Sequence, residues 1–199
     1  MTTLHSVAVQ QLQALLAIRR FDQCYLSERV AEDNQAITGW AEAQLSQGNP
    51  GDNLLILASL NFDCPPDEHE LACYLDKFLQ EQQIAELDDN LAATLWLRRE
   101  LGFILDTRNR AVLMNLLFRF DDYLLDLSHT RFTRKTRRSL SRLYRYLFDG
   151  YDQNYDPKAE ADSMSDETLF AYVHQQVAPF CRALKNSDWR TLLAAQKHL

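Results

Sequence analysis

The sequence predicts an all-α fold, an irregular bundle or array of about eight or nine helices. Three observations lead there. Apolar residues recur at helical spacing along nearly the whole chain. Only five glycines and five prolines occur among 199 residues, too few for the tight turns of a β-fold. Polar punctuation comes in short clusters, with one long exception between Asp149 and Asp166.

Leu4 to Arg20 reads as the first helix, with Leu12, Leu15 and Leu16 on one side. Tyr25 to Gln47 follows, carried by Leu26, Val30, Ile37, Trp40, Ala41 and Leu45, with Asp33-Asn34 as a point of interruption. Gly48 to Gly51 stops that run, and Asp52 is positioned to cap a short helix over 53–60. Pro65-Pro66 opens the next helix, because the first helical turn has no use for the N–H that proline lacks. It runs to about Gln83 with Leu71, Tyr74, Leu75 and Phe78 on one face. Asp88-Asp89 starts a helix through Leu105. Ala111 to Leu127, with Val112, Leu113, Leu116, Leu117, Phe120 and Leu124, has the widest apolar stripe and reads as the central helix. Thr133 to Phe148 is next. A hairpin of Glu167–Lys185 and Asp188–His198 closes the chain, its first arm bent by Pro179. Short connections predict sequential antiparallel packing. The chain reads as one helical domain over 1–199, with 1–86 and 87–199 as an alternative subdivision.

Bulk properties narrow the function. The longest apolar run, Leu54 to Leu60, is far shorter than a bilayer span, and Met1 to Gln11 lacks the pattern of a secretory signal. A cytoplasmic location and no membrane partner are expected. Cys24, Cys64, Cys73 and Cys181 are scattered and form no CxxC pair, so reduced thiols are expected. A formal charge of −7 disfavours nucleic acid as a partner.

That charge is unevenly placed. Seven of the 21 basic residues fall between Arg131 and Arg145: Arg131, Arg134, Lys135, Arg137, Arg138, Arg142 and Arg145. On a helix, Arg131, Arg134, Arg138, Arg142 and Arg145 fall within an arc of about 80°, opposite Leu140, Leu143, Tyr144 and Leu147. Arginine's planar fork suits carboxylate or phosphate. Three readings stay open: a solvated face paired with Asp121, Asp122, Asp126 and the acidic stretch 149–167, a docking surface for an acidic protein, or a contact for nucleic acid or anionic lipid. Aromatics do not interleave with the arginines as a single-strand binder needs.

Other constellations are weaker. Asp152, Asn154 and Asp156 match the first ligands of a calcium loop, but Pro157 and Ser163 fall where glycine and a bidentate glutamate are required. Cys64, His69 and Cys73, with Asp76, make a metal-like cluster without recognised zinc spacing; His69 and Cys73 are expected to be exposed. His174 lies with Phe170, Val177 and Cys181 and reads as a core histidine, two helical turns from the thiol. No nucleophile-elbow, zinc-protease, phosphate-loop or dinucleotide pattern occurs. No catalytic residue, metal or cofactor is assigned.

The segment Trp40 to Gly48, followed by Asn53 to Leu60 and by Glu68 to Leu79 and Glu81 to Ile84, resembles a loose group of small helical bacterial proteins of uncharacterised function, some of them suspected antitoxin or immunity-like proteins. The likeness covers about 40–85 and rests on core leucines, alanines and a turn glycine. It implies packing, and carries no catalytic residues across. The leading expectation is a non-enzymatic interaction domain, an adaptor or immunity-like binder of a protein partner, with Arg131, Arg134, Arg138, Arg142 and Arg145 as contacts. A nucleic-acid-associated regulator using the same stripe and an enzyme with a dispersed site are the alternatives. Homo-oligomerisation through the opposite charges is a further partner state.

Overall fold

A computed structural model describes residues 6–25, 27–62, 65–122, 130–149 and 160–195. Among them it is all-α, with nine α-helices and no strand. The chain divides into two compact units, Met1–Asp88 and Asp89–Leu199.

The first unit contains α1 (Ser6–Tyr25), α2 (Ser27–Ser46), α3 (Asp52–Ser59), a 3-10 turn at Leu60–Phe62 and α4 (Glu68–Gln82). Helix α2 lies between α1 and α3, and α3 packs on α4. Leu12, Ile37, Trp40, Ala41, Leu54, Leu57, Leu71, Leu75 and Phe78 form the core. Trp40 meets Phe78 edge-on at 5.8 Å, the geometry favoured by aromatic quadrupoles. Asp33 and Asn34 do not interrupt α2. Both are buried, and Asn34 Oδ1 accepts a 2.6 Å bond from Arg19 Nε of α1, so a neighbouring helix supplies what solvent would otherwise provide.

Helix boundaries follow their caps. Gly48, at φ 83°, adopts the left-handed conformation that ends α2. Asp52 is not the cap of α3. Gly51 holds that position without a side-chain bond, and Asp52 opens the helix. The prolines likewise stand outside α4, whose N-cap is Asp67, accepting from Glu70 N. At its other end Gln83 is left-handed, with Ile84 N donating to Leu79 O and Gln83 N to Gln80 O. This is a Schellman closure, finished by Ile84 next to Leu79.

The second unit contains α5 (Asp89–Asp106), α6 (Arg110–Asp121), α7 (Arg131–Phe148), a 3-10 turn at Glu160–Ser163, α8 (Asp166–Lys185) and α9 (Ser187–Ala194). Here α5, not α6, is central, touching α6, α7, α8 and α9. Ala92, Ala93, Trp96, Leu97, Leu101 and Ile104 are buried along it, and Trp96 packs 6.0 Å from Phe120 of α6. Its principal partner is α8, so sequential packing fails in this unit. The stripe expected on α6 is narrower than predicted. Leu113, Leu116, Leu117 and Phe120 are buried, Val112 is exposed, and Leu124 lies outside the described residues.

Helix α8 continues through Pro179. Its buried row is Leu169, Val173, Val177, Cys181 and Leu184. His174 is rotated off that row and exposed, so it is not a core histidine. One residue separates it from Val173, about 100° around the helix.

Candidate functional site

The arginine ridge stands on α7, and the start of that helix explains how it is presented. Thr130 is the N-cap. Thr133 N donates to Thr130 Oγ1 and Thr130 N donates to Thr133 Oγ1, each at 3.1 Å, a reciprocal capping box with both threonines buried. Arg131 is therefore the first residue of the helix and belongs to the ridge. Thr133, Thr136, Leu140, Leu143 and Leu147 make the buried row, at alternating steps of three and four. The opposite side carries Arg131, Arg138, Arg142 and Arg145, all exposed, and half-buried Arg134. Exposed Lys135 lies beside them. From Arg131 to Arg142 the row is about 16 Å long, and Arg134, Arg138 and Arg142 succeed one another at about 6 Å.

Its own acids neutralise little of this ridge. Arg145 Nε donates to Asp121 Oδ1 at 2.8 Å, and the same oxygen accepts Ser141 Oγ. Arg137 turns away and donates through Nη2 to the Asp122 carbonyl at 2.8 Å, tying α7 to the end of α6. Arg131, Arg134, Arg138 and Arg142 form no ion pair or hydrogen bond among the described residues. Downstream, Asp166 is taken by Arg110, whose guanidinium also holds the carbonyls of Ala161 and Met164. Asp126 and residues 150–159 lie outside the described residues.

The helix itself opposes such a placement. No acid occupies the first turn of α7, where Arg131 and Arg134 sit instead. Cations at this positive dipole end are each disfavoured by about 0.3–1 kcal/mol. A local rule broken on an exposed surface marks a place where something other than helix stability decides the sequence.

Tyr144, between Phe118 at 5.4 Å and Phe148 at 6.2 Å, borders the ridge. Burial, then Asp149 and Asp121, holds its hydroxyl above the ordinary tyrosine range.

The other predicted positions do not converge. His69, Cys73 and Asp76 are exposed on α4, while Cys64 lies outside the described residues. Among the described residues no three His, Cys, Asp or Glu side chains are placed to hold a metal ion, and no helix is long and apolar enough to cross a membrane. Glu160 to Ser163, the last part of the calcium-like stretch, is a 3-10 turn; its beginning lies outside the described residues.

Two polar features escaped the sequence. Glu100 is fully buried in α5, with Arg99 on Oε1 at 3.2 Å and Arg119 of α6 on Oε2 at 3.0 Å. Arg19 is buried in α1. Each carried a signal: Glu100 falls one turn after Trp96 and one before Ile104, and Arg19 continues the face of Leu12 and Leu16. No protein-family model, curated protein or solved structure matches the chain.

Proposed function

We propose that the protein is a non-enzymatic interaction domain, an adaptor or immunity-like binder, that docks an acidic protein partner on the ridge Arg131, Arg134, Arg138, Arg142 and Arg145. One observation carries this reading: four of the five ridge arginines are unpaired within the described residues although the chain as a whole is acidic. Unpaired guanidinium groups on a rigid, capped helix are preorganised for carboxylates, each available for two parallel hydrogen bonds. Rows of like charge also steer encounter, raising association rates more than final affinity. A net negative charge repels the extended polyanionic backbone of nucleic acid, while a partner with one local acidic patch feels mainly the ridge.

The test is affinity capture of the tagged full chain from native lysate, with nuclease, a salt series and the triple reversal Arg134→Glu, Arg138→Glu and Arg142→Glu in parallel. The expected result is a stoichiometric protein that survives nuclease, is displaced by salt and is lost in the reversal while helical circular dichroism is unchanged. Nuclease-sensitive capture would replace this reading with a nucleic-acid regulator. Binding untouched by the reversal would remove the ridge from it.

A further inference from the structure

The first unit holds a cleft of ≈ 120 Å³ between α1 and α4, beneath residues 84–87. Those residues are strapped across α1 by Gln13 Nε2 donating to Ala85 O at 2.7 Å and by the Arg20–Glu86 ion pair at 3.1 Å. Leu16, Leu75, Leu79 and Leu87 give the cleft an apolar lining, and Arg19 and Asp76 are its unengaged charges.

Arg19 is under-bonded for so buried a cation. Its side chain is only 10% exposed, and of its five N–H groups one is used, the 2.6 Å bond from Nε to Asn34. Nη2 is buried and has no hydrogen-bond partner. The nearest ion-pairing oxygen, Glu68 Oε1, stands 3.8 Å away and already accepts Gln23 Nε2 at 2.9 Å. Burial pulls the guanidinium below arginine's ordinary value, against the attraction of Glu68, Asp33 and Asp76. A buried donor left open calls for a partner that completes it. Asp76 is exposed and has no hydrogen bond or ion pair among the described residues.

We infer that this cleft binds a small zwitterion of the α-amino acid class, its carboxylate on the free guanidinium edge of Arg19 and its ammonium on Asp76. The charges lining the cleft, Arg19 and Arg20 against Asp76 and Glu86, cancel, so a ligand with no net charge adds no uncompensated charge. The volume limits its size. A cavity of about 150 Å³ takes benzene, so the ligand has on the order of six non-hydrogen atoms. L-Alanine is of that size. This inference is independent of the α7 ridge.

Calorimetric titration of the full chain with L-alanine, propionate and ethylamine at matched ionic strength and neutral pH tests it. L-Alanine should bind saturably, propionate about tenfold more weakly for want of the ammonium contact, and ethylamine without saturation. Asp76→Asn, at an exposed position, should keep the denaturation midpoint and bring L-alanine down to the affinity of propionate. Arg19→Met should abolish binding of both; should it fail to fold, Asp76→Asn decides alone. No saturable L-alanine binding, equal affinity for L-alanine and propionate, or an unaltered Asp76→Asn would each overturn the assignment.

Discussion

Replacing Glu100 by glutamine should destabilise the second unit by about 3 kcal/mol, within the range for breaking a buried ion pair on one side. The geometry sets the size. Glu100 is fully buried, and each carboxylate oxygen serves a different arginine, Arg99 at 3.2 Å and Arg119 at 3.0 Å. Glutamine keeps the shape but one acceptor only. Its amide nitrogen then faces an arginine, donor against donor, and no formal charge offsets two guanidinium groups that are themselves 18% and 17% exposed. Each charge-assisted bond contributes about 1.5–3 kcal/mol, so losing one and weakening the other reaches the stated figure. In a unit of this size, about 3 kcal/mol lowers the melting temperature by roughly 10–15 °C.

Amide hydrogen exchange followed by mass spectrometry separates the two units, because peptides from α2 report on the first while those from α5 and α6 report on the second. Protection in α5 and α6 should fall by about two powers of ten, and α2 should be unchanged. A companion variant isolates the cause. Turning Arg99, Glu100 and Arg119 together into methionine should cost less than Glu100→Gln alone, because an apolar replacement leaves no orphaned charge. A loss below about 1 kcal/mol for Glu100→Gln would refute the reasoning. So would an equal or larger loss for the triple methionine variant, since packing rather than charge would then be responsible.

Two further outcomes follow from α7. Thr130→Ala removes one arm of the capping box and should cost about 1 kcal/mol, with exchange rising in the first turn; added salt should recover part of it by screening the repulsion among Arg131, Arg134 and Lys135. Tyr144 is held above the ordinary value of 10.0 by burial, then by Asp149 and Asp121, so its tyrosinate absorbance should emerge later than that of Tyr144 in the urea-unfolded chain. Because the folded value is the higher one, stability should be flat up to the unfolded value and fall as pH rises through the folded one. A decline that is complete before tyrosine ionises would contradict that origin.

The fold was legible because burial on a helix leaves a periodic mark. Leu71, Leu75 and Phe78 on α4, and Leu140, Leu143 and Leu147 on α7, are spaced by three and four in the sequence and are buried in the structure. Where one apolar stripe meets another is not encoded in its period. That is why α5 and α8 were not paired in advance, and why the wide stripe of α6 suggested a centre that α5 occupies instead. Register at the ends depends on single bonds. Asp67 caps α4 and Asp52 does not cap α3, although both are aspartates just before an apolar run, because only Asp67 accepts a backbone N–H.

Charged positions were legible only in part, for an electrostatic reason. The ridge of α7 is local: five arginines on one helix share a face whatever surrounds them. Their state of pairing is not local, since Arg145 and Asp121 meet only because α6 lies against α7. Glu100 and Arg19 go further. Each stands at a core position of its helix, where a sequence reading expects leucine, and each is tolerated through partners brought by another element: Arg119 from α6 for Glu100, Asn34 from α2 for Arg19. The two are not equally satisfied. Both oxygens of Glu100 have donors, which is what a purely structural buried charge requires. Arg19 has one bond and an open edge beside a cleft, which leaves part of its burial uncompensated by the protein itself. A buried charge that the fold fully pairs explains itself; one that the fold pairs only in part directs attention to what else it meets.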